Sequence, residues 1–327
     1  MTGRKKILIH FFVQNSTIIV FIVIFCLASF SSDVFLSNRN ITNLLRQVAA
    51  LSVVSFGMLL VVLTGGIDLS VGSVMAVASV TFALANATLG FFPSLFLTLL
   101  VCLVMGMFSG FMVAKMNMAP FIATLAMMII GRGVALNAAN GSPIQIKDPI
   151  LTLLGRGYIG AIPVPVFAAF VTFVLLYIML HYTAPGRIVI AVGSNEKAVN
   201  LTGIKVDRYK MLVYSLSGVL AGMGGVLTTS RTSVGSPILA EAFELDAIAA
   251  VVIGGASLAG GKGRILNTLF GVVILGTISN IMNLKDIPGY NQLVVKGLII
   301  VIAVYLQGIQ LSDLAWIKKI TRILKSN

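Results

Sequence analysis

Apolar runs of roughly 17 to 25 residues satisfy their backbone in hydrocarbon by hydrogen bonding within themselves, so they mark membrane-spanning helices. By that measure the chain carries about ten, near 9 to 30, 48 to 63, 71 to 86, 94 to 114, 119 to 137, 164 to 182, 211 to 230, 241 to 256, 265 to 283 and 291 to 307. Composition agrees, because 58% of the 327 residues are apolar and only 10% charged, against roughly 25% charged in a soluble domain. The sequence predicts an all-α, polytopic membrane protein forming one integral-membrane domain over 1–327, its 32 glycines favouring close helix contacts and broken helices. The third and eighth runs are short and carry polar residues, as interrupted or partly re-entrant helices do.

The 23 Lys+Arg against 10 Asp+Glu give a net charge of +13, which in a soluble protein points to nucleic acid. Here the basic residues mostly lie at the ends of apolar runs, where they orient the chain and meet membrane lipid headgroups, so no nucleic acid is implied. With a cytoplasmic N-terminus, ten crossings put Lys115, residues 186–210, Lys262, Arg264 and the tail Lys318, Lys319, Arg322 and Lys325 on one side, and both termini in the cytoplasm. An eight-helix count, with the third and eighth runs not crossing, keeps the same sidedness. Arg4-Lys5-Lys6 and the run from Ile7 to Phe30 form a retained first helix, since the run is too long for a signal peptide and has no small-residue cleavage site.

Two stretches interrupt the apolar pattern with acids. Leu63-Thr64-Gly65-Gly66-Ile67-Asp68-Leu69-Ser70-Val71-Gly72-Ser73 places a Gly-Gly pair and a carboxylate between two apolar runs, which requires a protein-lined or watery setting. Glu244-Leu245-Asp246 precedes a second short apolar helix, and its position matches that of Asp68 if the chain is two groups of five helices. Gly65, Gly66, Asp68, Ser70, Glu244 and Asp246 are therefore candidates for supporting a solute pathway. Asp68 and Asp246 are expected to accept backbone N–H groups at helix starts, while holding Na⁺ or H⁺ in an ion-coupled carrier competes with that role. Arg132, between Gly131 and Gly133, either snorkels to the interface or meets a polar solute.

Enzymatic chemistry finds no support in these residues. The flanks of Asp68 and Asp246 lack intramembrane aspartyl-protease patterns, and His10 and His181 sit at run boundaries outside any metal-ligand spacing. Gly254-Gly255 to Lys262-Gly263-Arg264 lacks the P-loop spacing before a Lys-Ser/Thr pair, and reads as a tight connection between helices. No catalytic residue, metal or cofactor is expected. The polar interval 186–210 can form a short helix, with Asn195 as N-cap, Glu196 in its first turn and Gly203 as its stop. That shape suits the docking of a soluble partner.

In combination these motifs resemble the membrane permease subunits of ATP-binding-cassette importers for ribose and related monosaccharides, in the wider group that includes branched-chain amino-acid permeases. The resemblance runs from about Asn40 to Gln307. It rests on Leu63 to Ser73, Phe121-Ile122-Ala123-Thr124-Leu125, Gly131-Arg132-Gly133, Asn140-Gly141-Ser142-Pro143, Gly186-Arg187, Gly193-Ser194-Asn195-Glu196-Lys197-Ala198, Gly203-Ile204, Glu244 to Gly255 and Ser257 to Arg264. It implies a bacterial plasma-membrane subunit built of two inverted five-helix halves, about 1–160 and 161–327. It also implies a second permease subunit, a cytoplasmic ATPase that uses the ATP, and an extracytoplasmic sugar-binding protein. On this resemblance Gly193, Asn195, Glu196, Ala198 and Gly203 belong to the coupling segment. A nucleoside, an autoinducer-type sugar derivative or a branched-chain amino acid is the alternative cargo.

Overall fold

The computed structural model describes residues 16–308, so the basic Arg4-Lys5-Lys6, the first residues of the first run, His10 and the basic tail lie outside the described residues. The described chain is built from thirteen helices. They are α1 (Ser16–Ser31), α2 (Asn38–Leu63), α3 (Val71–Leu89), α4 (Phe91–Ala114), α5 (Pro120–Ala138), α6 (Pro149–Arg156), α7 (Val164–Tyr182), α8 (Ala184–Ser194), α9 (Glu196–Leu201), α10 (Val206–Thr232), α11 (Phe243–Ile253), α12 (Ile265–Leu284) and α13 (Gly289–Gly308). Two antiparallel pairings of two-residue strands add to them: β1 (Ile144–Gln145) with β4 (Val234–Gly235), and β2 (Tyr158–Ile159) with β3 (Ile162–Pro163). Within the described residues every apolar run falls on a helix, and α2, α3, α4, α5, α7, α10 and α12 are each long and apolar enough to cross a membrane.

Two sequence expectations change. The third run is not short: α3 continues unbroken for 19 residues, because the interruption lies ahead of it in residues 64–70. The eighth run does give a helix of only 11 residues. The second run extends back into polar sequence, since the Ser37 side chain accepts the Asn40 N–H at 3.3 Å and starts α2 ten residues before residue 48. The interval 140–163 folds into short elements of its own. Asp148 caps α6 by accepting the Ile150 and Leu151 N–H groups at 2.8 and 2.9 Å, and the β2–β3 hairpin follows.

The core forms around α2, which is buried along most of its length, and α10, which packs against α2, α3 and α4. Between helices in lipid, burial of apolar surface supplies little net drive, so close van der Waals packing has to hold them. The α4–α10 crossing shows how: Gly106 of α4 faces Gly218 of α10, with a Cβ on Gly218 standing 3.0 Å from the Gly106 Cα, while Gly110 packs on Met211 and Tyr214 and Gly222 packs on Cys102. At the other side of α2, Asn40 and the buried Asn280 of α12 exchange amide hydrogen bonds of 2.9 and 2.8 Å.

Candidate functional site

The interruption at residues 64–70 follows from its sequence. Thr64 ends α2, Gly65 takes a left-handed φ of 78°, and Gly66 presses against the buried Tyr214 hydroxyl of α10. Asp68, 1% exposed, turns inward. Its Oδ1 accepts the Ser70 N–H at 3.0 Å and the Ser70 hydroxyl at 2.6 Å, and its Oδ2 accepts the Ser217 hydroxyl of α10 at 2.8 Å. The broken backbone is also held from α5, where the Thr124 hydroxyl donates to the Ile67 carbonyl at 3.2 Å. Asp68 thus serves one N–H at the start of α3, as expected, and in addition ties the break to α10.

The second acidic stretch meets the first. Glu244 Oε2 lies against Gly72 in the first turn of α3, and Ala240 O stands 2.6 Å from where a Gly72 Cβ would be. Arg132 does not snorkel: its Nη1 donates to the Pro237 and Leu239 carbonyls at 2.8 and 2.9 Å, fixing the loop that delivers Glu244. Gly65, Gly66, Asp68, Ser70, Arg132 and Glu244 therefore share one region around the start of α3. Asp246 is elsewhere. The expectation that it caps a helix is corrected, because α11 already begins at Phe243 and the Asp246 carboxylate pairs with Lys296 of α13 at 2.6 Å.

At the end of the helix bundle where α2 ends and α10 begins, residues 183–205 fold into two helices rather than one. Thr183 caps α8, and Asn195 caps α9 by accepting the Ala198 N–H at 3.0 Å. Glu196 opens α9 and binds Lys210 of α10 through both oxygens at 2.7 Å, while Gly203 follows the helix with φ 82°. Ala198 and Leu201 face solvent, Leu201 at 89% exposure. The glycine-rich turn after α11 closes the assembly. Gly261 N–H donates to Leu63 O at 3.0 Å, and a Cβ on Gly260 would lie 2.8 Å from Gly193 O and 2.9 Å from Gly65 N. The end of α8, the end of α2 and residues 260–261 thus touch backbone to backbone, with no room for side chains.

Sequence reasoning missed Ser217, Lys296 and the contact of residues 260–261 with Gly65 and Gly193. Lys296 carried a signal, since a cation inside an apolar run requires a partner. Ser217 carried a weaker one as a polar residue in the run 211–230. The glycine contact had none, because it depends on which turns meet in space.

The model for the family described as branched-chain amino acid transport system / permease component matches residues 40–304. The ribose import permease protein RbsC of Bacillus subtilis (strain 168) is 45% identical over 288 residues, which is 87% of this chain and 89% of that protein. RbsC of Escherichia coli (strain K12) is 38% identical over 312 residues, covering 93% of this chain and 96% of its own. The xylose transport system permease protein XylH of the same strain is 30% identical, with 94% of each chain covered. No solved structure matches the chain.

Proposed function

The chain belongs to the family of branched-chain amino acid transport system permease components, and on that premise we propose that it forms the membrane pathway for uptake of a monosaccharide, ribose or a close relative. The observation that carries this reading is the 45% identity to a ribose import permease along 87% of the chain. A second permease subunit completes the pathway, an extracytoplasmic binding protein delivers the sugar, and a separate cytoplasmic ATPase drives the cycle. The ten apolar runs cross the membrane as two inverted five-helix halves with both termini cytoplasmic. The pairing of two broken stretches at Gly72 and Glu244 supports that arrangement.

The chain's own residues supply the coupling. α9 is short, capped and mostly exposed, so it can be pushed as a body. Displacement of α9 passes along α8 to Gly193, and from Gly193 to Leu63 and Gly65, because backbone in contact with backbone cannot absorb it. Gly65 leads within three residues to Asp68, whose bonds to Ser70 and Ser217 carry the motion into α3 and α10. The ATPase shifts the pathway only by binding ATP differently in its two arrangements, since equal affinity shifts nothing.

The test is uptake of labelled ribose into vesicles holding the chain, its ATPase and its binding protein. Uptake requires hydrolysable ATP and the binding protein. Uptake that follows a Na⁺ or H⁺ gradient and persists without the ATPase overturns the reading in favour of an ion-coupled carrier.

A further inference from the structure

Opposite α9, where α2 begins and α10 ends roughly 40 Å away along a 27-residue helix, three arginines converge. Arg46 of α2, Arg156 at the end of α6 and Arg231 in the last turn of α10 line a cavity of about 440 Å³ together with Asn43, Thr228 and Thr232, and no acid lines it. Among the described residues none of the three arginines forms an ion pair. Their hydrogen bonds go to main-chain carbonyls instead, Arg46 Nη2 to Arg156 O at 2.8 Å and Arg156 Nε to Arg231 O at 3.1 Å. The buried Arg46 Nε has no partner, and Arg46 and Arg231 are close enough to repel. The cluster is held in place all the same, for Gly155 packs directly on the α10 backbone at Ser230–Arg231.

Like charges gathered without a counter-charge are unfavourable unless an anion joins them. Guanidinium forks match phosphate oxygens in geometry and charge. Beside the cavity stands an apolar shelf: Tyr158, with Arg46 4.8 Å above its ring, and the exposed Leu153, Ile159 and Ile162. A polar anion seat next to exposed apolar side chains at the ends of membrane helices fits an amphiphile. We propose that this cleft binds the phosphate of an anionic membrane lipid headgroup, with the lipid's apolar part along the hairpin.

The experiment is native mass spectrometry and thermal unfolding of the full chain in neutral detergent, with added phosphatidylglycerol, phosphatidylcholine or inorganic phosphate. Phosphatidylglycerol is expected to give a retained adduct and to raise Tm by about 5 °C. Arg46→Gln with Arg231→Gln removes both effects, and Arg46→Lys, which keeps charge but loses the fork, weakens the adduct about tenfold. If the double variant does not fold, the exposed Arg156→Gln is measured instead and is expected to weaken the adduct at least threefold. Equal protection by phosphatidylcholine, or equal protection by inorganic phosphate alone, overturns the lipid assignment. So does retention of the adduct in variants that bind the sugar-binding protein tenfold more weakly, which makes the cluster a docking site for protein carboxylates.

Discussion

Replacing Asp68 with alanine removes the acceptor of three hydrogen bonds, from the Ser70 N–H, the Ser70 hydroxyl and the Ser217 hydroxyl, in a place 1% exposed to solvent. The Ser217 hydroxyl has a fallback, the carbonyl one turn back in α10, so its loss is partial. The two Ser70 donors belong to broken backbone and have no such alternative. An unsatisfied buried donor costs about 1–3 kcal/mol, so Asp68→Ala is expected to lose about 2–4 kcal/mol. Asp68→Asn retains an oxygen for Ser70 and an amide that the Ser217 oxygen can accept, and is expected to lose less than about 1.5 kcal/mol. Ser217→Ala alone loses about 1–2 kcal/mol, and the Asp68→Ala, Ser217→Ala pair less than the sum. Unfolding is followed with a thiol-reactive dye in a Cys26→Ala background, where the fully buried Cys102 reports loss of packing. A loss under about 0.5 kcal/mol for Asp68→Ala, or an equal loss for Asp68→Asn and Asp68→Ala, would refute the hydrogen-bond account. ATP-driven uptake is expected to survive in Asp68→Asn; its abolition with the fold intact would mean that the carboxylate handles an ion or the solute.

The other predictions concern coupling, packing and pH. Glu196→Arg with Ala198→Asp breaks the bond to Lys210 and puts an acid on the exposed face of α9, and is expected to lower ATP-driven uptake at least tenfold while the protein still reaches the membrane; normal uptake in vesicles refutes the coupling role. Gly218→Val drives a branched side chain into the Gly106 backbone and is expected to destabilise by about 3 kcal/mol in the same dye assay, where Gly133→Val, with open space around it, changes little. Burial works to raise the Asp148 carboxyl, but hydrogen bonds from Asn86, Leu151 and Ile150 outweigh it and hold the group below its ordinary value of 3.8. A lowered carboxylate stabilises in full above the ordinary value, and this stabilisation is lost as pH falls through the native one. Amide exchange in α6, corrected for the intrinsic pH dependence, is therefore expected to be protected at pH 6, to accelerate below about pH 3.8, and to be fast at both in Asp148→Ala, which removes the cap acceptor.

Much of this protein is legible one residue at a time. Run length and hydropathy marked where the apolar helices lie, because a backbone in lipid has no alternative to bonding with itself. Asn195, Glu196 and Gly203 announced α9, since caps and first-turn charges act within a few residues of where they are written. The Gly65-Gly66 pair and Asp68 likewise marked a break. Lys296 could have been assigned a partner on cost alone, although not the identity of that partner.

The tertiary structure decided everything that depends on distant segments meeting. Asp68 and Asp246 look alike in sequence, yet one binds Ser217 across 149 positions and the other Lys296 across 50. Local propensity gave both the same capping role, and packing separated them. Arg132 carries a charge that suggests an interface, but the carbonyls of Pro237 and Leu239 arrive to meet it only once α10 has returned beside α3. The junction of Gly65, Gly193 and Gly260 is the clearest case. Only the fold brings the three backbones so close that a side chain on Gly193 or Gly260 has no room.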